Sequence, residues 1–237
     1  MKIVTWNCKG AYRKKHSRLI ESFDPDIWII QECEHPDKFN QQKGFIRPDN
    51  VLWYGDNLNR GVGVFSKHGI GLNIEEMHNS NFRYIIPVKV SGLYELNLFA
   101  VWAMNDTVNK QQRYIGQVFS SLEYYRHLFA NRTVFAGDFN WNTSFKATGR
   151  LTGDLDDVIK YFGEINIISA YHKIHKEKFG EESKATLHFH GKNQSPFHID
   201  YIFLNRSLCS NEKMTIGKWA EWHMLSDHMP ICLDICK

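Results

Sequence analysis

The sequence predicts a layered α/β protein with mixed sheets, and three observations carry this prediction. Apolar strand-like runs recur along the chain, amphipathic helical patterns separate the early ones, and the later strands follow one another in longer series. A hydrophobic fraction of 43% is typical of a globular protein and argues against disorder. The strand-like runs are KIVTWN, DIWIIQE, GVGVFSK, YIIPVKV, YELNLFAVWA, RTVFAGDFN, HIDYIFLN and MPICLDI.

Three segments have helical rather than alternating periodicity. HSRLIESF is the first, and GDLDDVIKYFGE is the third, where Asp154 is a suitable N-cap or first-turn acid. The middle segment, KQQRYIGQVFSSLEYYRHLF, is the clearest, because its apolar residues recur at helical spacing. Those residues are Ile115, Val118, Phe119, Leu122 and Phe129.

Length and composition limit the class of protein. The 237 residues fit one large domain, and no linker or repeat divides them, so residues 1–237 are predicted to form a single domain. No apolar run suits a membrane span, and MKIVTWNCKG does not resemble a signal peptide. We therefore expect a cytoplasmic monomer without a membrane partner. The cysteines form no CxxC pair and are expected to be reduced core thiols: Cys8, Cys33, Cys209, Cys232 and Cys236.

The net charge of +3 is too small to indicate a polyanionic partner, but the distribution of the charge is informative. A basic segment follows the first strand, and a second basic cluster occupies residues 171–192. Such a segment can follow a phosphate backbone if it borders a site, whereas a solvated surface is the alternative. The cations of the first segment are Lys9, Arg13, Lys14, Lys15 and Arg18.

Several apolar strands stop at a polar residue able to bind a cation or a phosphate. KIVTW stops at Asn7, IWIIQ at Glu32, and TVFAG at Asp138. The sequences HID and SDH border two further strands. Each such residue alone is usually a turn former, but ligand sites of α/β proteins gather where strand ends meet loops. The coincidence of several predicts one shared site.

The residue types of this predicted site suit phosphoester chemistry. Few carboxylates and no sulfur favour Mg²⁺, with Mn²⁺ as the alternative ion. An Asp such as Asp138 can accept a proton from water. A histidine kept cationic by a carboxylate can stabilise a negative phosphorane. We expect His228 to face the phosphate, Asp200 to orient it, and Asp227 to lie close to the metal or water.

Five motifs, TWNCKG, DIWIIQECE, GDFNWN, HIDYIFLN and SDHMP, carry a family resemblance. Their order and approximate spacing resemble the endonuclease/exonuclease/phosphatase superfamily from residue 3 to about residue 235. The superfamily includes DNase I, exonuclease III-type abasic-site endonucleases, neutral sphingomyelinases and inositol polyphosphate 5-phosphatases. The resemblance implies an α/β fold of the α+β type. It is a four-layer sandwich, with two mixed β-sheets packed face to face and helices outside. It also implies a divalent-metal phosphodiesterase or phosphatase.

The resemblance implies roles residue by residue. Glu32 resembles the principal metal ligand, Asp138 the residue that activates water, and Asn140 the residue that contacts phosphate and water. His228, paired with Asp200, resembles the transition-state stabiliser or general acid/base. The expected metal residues are Asn7, Glu32 and Asp227, and the expected catalytic residues are Asp138, Asn140, Asp200 and His228.

The sequence departs from the family pattern at two points. Trp102 stands where many relatives have a His or Tyr facing the phosphate, and an indole cannot titrate. Glu34 stands where abasic-site endonucleases have a Lys, and PFH replaces the usual Trp before the IDY-type motif. These departures argue against abasic-site specificity. The expected substrate-binding residues are Trp102, Arg60, Lys14, Lys15 and His188, although an ion pair is an equal reading of Arg60.

The sequence is compatible with three functions. A Mg²⁺-dependent nuclease acting on DNA or RNA is favoured by the basic segment. A phosphohydrolase of a nucleotide, an inositol phosphate or a phospholipid headgroup is the alternative, and a non-catalytic binding protein is the third. A dedicated zinc site is disfavoured relative to surface or supporting histidines at His172, His175, His188, His190 and His198.

Overall fold

The computed structural model describes residues 1–129, 132–146, 151–189 and 196–235, so that His190 and Cys236 lie outside the described residues. Within these ranges the strands form two six-stranded sheets and one two-stranded hairpin. Among the described residues, no helix has both the length and the apolar character needed to cross a membrane.

The first sheet combines strands from the beginning and the end of the chain. Its members are β1 (Lys2–Asn7), β2 (Ile27–Cys33), β3 (Asn50–Asn57), β4 (Arg60–Ser66), β13 (Lys213–Ile216) and β14 (Ile231–Asp234). Their spatial order is β13-β14-β1-β2-β4-β3. Strands β1 and β2 are parallel and the other neighbours are antiparallel, so the sheet is mixed.

The second sheet uses the middle of the chain. Its members are β5 (Ile70–Ile74), β6 (Ile85–Gly92), β7 (Leu96–Trp102), β8 (Thr133–Asp138), β9 (Ile167–Ser169) and β12 (Asp200–Asn205). Their order is β5-β6-β7-β8-β12-β9, and only β7 and β8 are parallel among these neighbours. The separate hairpin pairs β10 (Leu187–His188) with β11 (Pro196–Phe197).

Five α-helices are present in the described residues: α1 (His16–Phe23), α2 (Ile115–Tyr125), α3 (Leu155–Glu164), α4 (Ala170–His175) and α5 (Trp219–Trp222). The predicted cap of α3 is confirmed, since Asp154 and Asp157 form a reciprocal capping box. Helix α2 is shorter than its apolar pattern, because 3₁₀ turns at Lys110–Gln112 and Arg126–Leu128 flank it. The apolar pattern therefore marks the buried face rather than the helix ends.

Alternation along the strands creates three apolar layers. One set of side chains, including Ile29 of β2 and Leu98 of β7, packs between the two sheets. Phe135 and the other outward residues of the second sheet pack against α2 and α3. The outward residues of the first sheet, including Ile30, pack against α1 and α5. The predicted four-layer sandwich with helices outside is confirmed.

The strands that the pattern did not predict are short or partly exposed. In β13, exposed and half-buried residues alternate along Lys213–Ile216. Strand β3 is buried at Leu52 but exposed at Val51, Asp56 and Asn57. Edge strands bury little apolar surface, so their sequences carry a weak signal. The free cysteines agree with the sequence prediction, since Cys8, Cys33 and Cys232 are buried and Cys209 is half-buried.

Candidate active site

The second sheet carries three site residues in one row. Trp102 of β7 lies opposite Asp138 of β8, which in turn lies opposite Asp200 of β12. Each has the same strand parity as neighbours that pack between the sheets, such as Ala100 and Ala136, so all three side chains point into the gap between the sheets. The row lies at the C-terminal ends of β7 and β8, where the apolar core between the sheets ends.

The first sheet supplies Asn7 and Glu32 to the same gap. Asn7 shares the inward parity of Ile3, whereas Glu32 by parity belongs with Ile30 on the helix side. A bulge changes this direction, because the pairing of β2 with β4 shifts register between Gln31 and Cys33. Glu32 takes a left-handed φ of 56° there, and its Oε1 lies 3.5 Å from Asn7 Nδ2.

Hydrogen bonds connect the SDH motif (residues 226–228) to the end of β1. Ser226 Oγ donates to the Asn7 carbonyl at 2.7 Å and accepts from the His228 amide at 3.1 Å. The Trp6 indole donates to the His228 carbonyl at 2.9 Å. These bonds hold the turn so that the adjacent residues Asp227 and His228 point in different directions. Ser226 therefore shapes the turn and also joins it to the first sheet.

Asp138 is fully buried at the centre of the site. Its Oδ2 accepts from Asn7 Nδ2 at 3.0 Å, and its Oδ1 accepts from the Asn140 amide at 2.9 Å. Burial, together with repulsion from the nearby carboxylate of Asp200, raises the pKa of Asp138 to about 7. This places the group in the range where a carboxyl can exchange protons at neutral pH.

His228 forms a buried pair with Asp200. Its Nδ1 lies 2.9 Å from Asp200 Oδ2, and its Nε2 lies 4.0 Å from Asp138 Oδ2. Burial alone lowers the pKa of His228, but the carboxylates of Asp200 and Asp138 outweigh burial and raise it to about 10. The ring is therefore an imidazolium at neutral pH, with its Nε2–H directed toward the centre of the site.

The same three residues lie close enough to surround a metal ion, because one ligand atom from each falls within 4.8 Å of the others. We favour the hydrogen-bonded pair, since His228 Nδ1 is already engaged by Asp200 and a protonated imidazole cannot ligate. Glu32 fits a cation better. Its Oε2 is buried and makes no hydrogen bond, although Arg60 Nη2 lies 3.0 Å from it. The Asn7 amide nitrogen faces Glu32 and Asp138, whereas its oxygen accepts from the Lys9 amide at 3.1 Å, so Glu32 is the hard-oxygen group suited to Mg²⁺ here.

Asn140 adopts a left-handed φ of 51° directly after β8. Its Nδ2 donates to the Ala103 carbonyl at 2.9 Å and lies 3.2 Å from Asp138 Oδ2. The amide group thus holds Asp138 from one side, as Asn7 does from the other. Asparagine tolerates this conformation better than most residues with a side chain, so this turn suits it.

Two carboxylates of the expected metal site, Asp227 and Glu32, form ion pairs with basic side chains. Asp227 Oδ2 accepts from Lys9 Nζ at 2.9 Å, and Lys9 belongs to the basic segment. Arg60 pairs with Glu32, so the ion-pair reading of Arg60 agrees with the geometry. The sequence placed Lys9 in the basic segment but did not indicate its link with the SDH motif, because 218 residues separate the two partners.

The basic segment is less available than the sequence suggested. Arg13 pairs with Glu34, and Arg18 pairs with Glu221. Lys15 is half-buried and donates to the Cys8 carbonyl at 2.6 Å, while burial lowers its pKa. Lys14 is exposed and forms no ion pair within the described residues. Only part of this segment therefore presents unpaired charge to a polyanion.

The remaining predicted residues have packing roles in the structure. Trp102 is 3% exposed and lies 4.9 Å from the Tyr84 ring, although its place beside Asp138 keeps it at the site. His188 is buried against the Trp219 ring at 4.4 Å, and its amide donates to the Asp227 carbonyl. Apart from the Asp138, Asp200 and His228 group, the described residues contain no cluster of three residues suited to a metal ion.

Thr186 is a supporting residue that sequence reasoning missed. Its Oγ1 accepts from the Ile199 and Asp200 amides, both at 3.0 Å, and its carbonyl accepts from the Met229 amide. It thereby connects the HID and SDH motifs. No local pattern marks it, because a buried threonine is common and its partners are distant in sequence.

Comparisons with known proteins agree with this architecture. No curated protein matches the sequence. Among solved structures, the chain is similar to the 3′ phosphatase NExo from Neisseria bound to product DNA hairpin, with 18% identity, a TM-score of 0.73 and coverage of 100% of both chains. It is similar to the AP endonuclease LMAP from Leishmania major, with 14% identity, a TM-score of 0.69 and coverage of 98% of this chain and 86% of that chain.

A third similar structure is truncated TDP2 from Caenorhabditis elegans, with 14% identity, a TM-score of 0.67 and coverage of 98% and 96%. At these identities the similarity shows the fold alone. The sequence itself matches the Endonuclease/Exonuclease/phosphatase family over residues 4–228. The chain therefore belongs to the endonuclease/exonuclease/phosphatase family and is a phosphoric ester hydrolase.

Proposed function

We propose that this chain is a divalent-metal-dependent nuclease that hydrolyses phosphodiester bonds in DNA or RNA by attack of water. The observation that carries the proposal is the buried hydrogen-bonded pair of His228 and Asp200, which directs Nε2 of the histidine toward Asp138. Two similar structures, a 3′ phosphatase bound to product DNA hairpin and an AP endonuclease, support nucleic acid as the substrate. The sequence pI of about 8.5 is compatible with a polyanion.

Mg²⁺ is the proposed cofactor, with Mn²⁺ as the alternative, and Glu32 and Asn7 are the residues that would hold it. The buried Oε2 of Glu32 supports this assignment, because it makes no hydrogen bond and its partner is the cationic Arg60 guanidinium, which a metal ion would replace. Asn7 would ligate only after its side-chain amide turns, since its nitrogen now faces Glu32. Asp227 is the third candidate and is paired with Lys9. When bound, such a cation withdraws charge from the phosphoryl oxygens and helps to orient the ester.

Four side chains have the other roles in hydrolysis. Asp138 accepts the proton of the attacking water, for which its raised pKa suits it. The water oxygen forms the new P–O bond while the bond to the leaving oxygen breaks. His228 donates its Nε2–H to a non-bridging phosphate oxygen, where negative charge develops. Asp200 keeps the ring cationic, and Asn140 keeps the carboxyl of Asp138 in position.

A second candidate has specific support. The similar Neisseria protein is named a 3′ phosphatase, and removal of a terminal phosphate needs the same water activation and charge stabilisation. The same residues would act, and only the leaving group would differ. A phosphatase acting on a small molecule is the remaining alternative.

The decisive test is cleavage of supercoiled plasmid and of labelled single- and double-stranded oligonucleotides, with and without a 3′ phosphate. Reactions contain Mg²⁺, Mn²⁺ or EDTA. The variants are His228→Ala, His228→Gln and, as a matched control, His127→Ala, which removes an exposed imidazole after α2. Thermal melting checks folding, and size-exclusion chromatography tests the predicted monomer.

Metal-dependent cutting that both His228 variants lose by about 100-fold or more, and that His127→Ala keeps, is the expected result. Loss of a 3′ phosphate without cutting would favour the phosphatase. A folded wild-type protein that attacks neither kind of nucleic acid would overturn the proposal and point to a small phosphoester.

A further inference from the structure

A cavity opens on the outer face of the second sheet, between α3, β9 and α4. Its volume is about 340 Å³, at the small end of the range of ligand-binding pockets. Ile159 and Phe162 of α3, Ile167 of β9 and Phe203 of β12 contribute its apolar lining. The remaining lining comes mainly from α4 and from the segment that follows it. Helices and sheet thus enclose a concave site that none of the predicted catalytic or metal residues enters.

The cavity is separate from the candidate active site, although both use β12. Asp200 begins this strand and faces the gap between the sheets, as does Ile202. Phe203 has the opposite parity and packs with the helices, and Arg206 follows the other end of the strand. The two sites therefore lie on opposite faces of one sheet and toward opposite ends of β12. A molecule in the cavity does not reach the active-site gap.

Aromatic rings form one wall of the cavity. The ring centroids of Phe162 and Phe203 lie 5.0 Å apart, and the Phe179 ring is nearly parallel to that of Phe203 at 6.4 Å. Phe179 in turn stacks on the His172 ring, with 3.5 Å between the centroids. Phe162 and Phe203 are 1% exposed, whereas Phe179 and His172 are half-buried. The wall is therefore apolar from the floor to the opening, which suits an apolar ligand body.

The rim of the cavity is basic. Lys173, Lys176 and Arg206 belong to its lining, and no acidic side chain does so among the residues that the structure describes. Lys173 is paired with Glu212. Lys176 and Arg206, the rim cations, are exposed, and neither side chain forms an ion pair or a hydrogen bond within the described part of the chain. The rim cations therefore remain available to a negatively charged group.

Two carboxylates that contact lining residues are themselves buried. Glu212 pairs with Lys173, and Glu182 Oε1 lies 3.1 Å from His172 Nε2. Both acidic side chains are 3% exposed, and Glu182 also accepts from the Gly180 amide at 3.1 Å. Neither carboxylate lines the cavity. Their charge is directed into the protein, so the opening presents the rim cations to a ligand.

We propose that this cavity binds an amphipathic anion at a site distinct from the active site. The ligand has an aliphatic or aromatic body, which Phe162, Phe179 and Phe203 cover, and one carboxylate or phosphate-type head group, which the rim cations bind. A guanidinium can bind either head group through two parallel hydrogen bonds, and an ammonium binds it as a point charge. Removal of the apolar body from water supplies affinity, and the rim cations select a negative head group.

Two simpler occupants fit the site less well. A neutral apolar molecule would bury the same surface but would leave both rim cations without a partner. An inorganic phosphate ion would pair with the rim cations but would leave the aromatic wall in contact with water. The juxtaposition of an apolar wall with two unpaired cations therefore distinguishes an amphipathic anion from either part of it alone.

The test compares 2-naphthoate, naphthalene-2-phosphonate and the neutral 2-naphthalenemethanol, with inorganic phosphate as the head group alone. Binding is measured by calorimetry in EDTA, so that neither metal nor catalytic activity enters the result. The phosphonate has no ester bond that the protein could hydrolyse. The first two compounds distinguish a carboxylate from a phosphate-type head group, and the third removes the charge while keeping the ring system.

The variants remove each part of the site in turn. Lys176→Gln combined with Arg206→Gln removes the charge of the rim, and Phe179→Ala removes the outer part of the wall. Ile159→Trp fills the cavity from α3. Lys178→Gln is the matched control, because Lys178 is an exposed lysine of the same segment that does not line the cavity. Thermal melting without ligand checks that each variant is folded.

We expect at least one of the two anions to bind the wild type about tenfold or more tightly than the neutral compound. The double rim variant should lose this preference, whereas Phe179→Ala and Ile159→Trp should weaken binding of all three naphthalene compounds. Inorganic phosphate should bind more weakly than the anion that is preferred. Lys178→Gln and His228→Gln should bind the compounds as the wild type does.

Several outcomes would overturn the proposal. Equal affinity of the wild type for the anions and the neutral compound would indicate a purely apolar cavity. Anion binding that the double rim variant keeps would exclude the rim cations, and binding that His228→Gln loses would place the compound in the active site. A folded wild type that binds none of the three compounds at millimolar concentration would exclude a ligand site here. The proposed nuclease function survives each outcome, because no measurement uses metal or nucleic acid.

Discussion

His228 and Asp200 form a buried pair across 28 residues of sequence, with Nδ1 of the histidine 2.9 Å from Oδ2 of the aspartate. The pair leaves His228 Nε2 directed at Asp138, 4.0 Å away. Two carboxyl groups and one imidazolium thus share a site that is closed to water on most sides. The pKa of His228 is raised, which keeps the histidine charged, and the pKa of Asp138 is raised, which delays ionisation of that carboxyl group.

The first prediction concerns pH. Activity needs Asp138 ionised and His228 protonated. Because the pKa of Asp138 is raised to about 7, kcat/KM should rise as pH increases through that value. Because the pKa of His228 is raised to about 10, kcat/KM should fall above it. A pH profile at constant ionic strength measures both limbs. A profile without the rising limb would exclude Asp138 as the base in the free protein.

The second prediction concerns Asp200→Asn. Without that carboxylate, the lowering effect of burial has less opposition, so the pKa of His228 should fall from about 10. The alkaline limb should then move to lower pH, and the rate at neutral pH should fall by about 100-fold or more. The control is Asp37→Asn, whose carboxylate is 84% exposed. An unmoved alkaline limb would show that another group controls it.

The third prediction concerns Glu32→Gln, which keeps the shape of the side chain and removes its charge. We expect Mg²⁺ affinity to fall by about tenfold or more, measured by calorimetry without substrate. Glu34→Gln is the matched control, because Glu34 is buried and accepts from the Tyr12 and Arg13 amides. That control should lower stability but leave metal affinity unchanged. Equal metal affinity of the Glu32 variant and the wild type would remove Glu32 from the metal site.

The fourth prediction concerns Gly137, which precedes Asp138 in β8. Its φ is 155°, and a Cβ there would lie 1.8 Å from the Val101 carbonyl oxygen of β7. Gly137→Ala must therefore separate the two strands and should cost more than about 2 kcal/mol of unfolding free energy. Gly163→Ala is the control, because nothing lies within 4 Å of its Cβ in α3, and it should be neutral or stabilising. Urea denaturation compares the two variants, and similar midpoints would contradict the predicted clash.

The fifth prediction concerns nucleic-acid binding by the basic segment. Lys14→Glu should weaken binding of DNA and reduce the salt slope by about one, since Lys14 is exposed and unpaired within the described residues. Lys15→Glu should instead lower stability, because it removes the bond to the Cys8 carbonyl. Lys89→Glu, at an exposed position of β6, is the control. An unchanged salt slope for Lys14→Glu would remove this residue from the binding surface.

Much of the molecule could be predicted from sequence because its signals are local. The apolar runs identified the inner strands, Asp154 was visible as an N-cap or first-turn acid, and the five motifs indicated the family. The sequence pattern did not predict the short edge strands, because a strand such as β13 buries too little apolar surface to show a periodic pattern. That residues 1–237 form a single domain stays a prediction.

The candidate site was only partly predictable, for a geometric reason. Asn7, Asp138 and Asp200 have the strand parity that directs them between the sheets, so their convergence follows from sequence once the sheets are paired. Glu32 lacks this inward parity, and its position in the site could not be predicted, because only the bulge at the end of β2 turns its side chain inward. The ion pair between Lys9 and Asp227 likewise depends on the hydrogen bonds that join the SDH turn to β1.

By itself, the sequence determined which chemical groups are available and in what order strands and helices present them. Tertiary structure decided which groups meet, which cations of the basic segment are already paired, and where α3, β9 and α4 enclose a cavity. The physical reason is that composition and periodicity act within a few residues, whereas burial, charge coupling and the pKa values of Asp138 and His228 arise from contacts between distant segments.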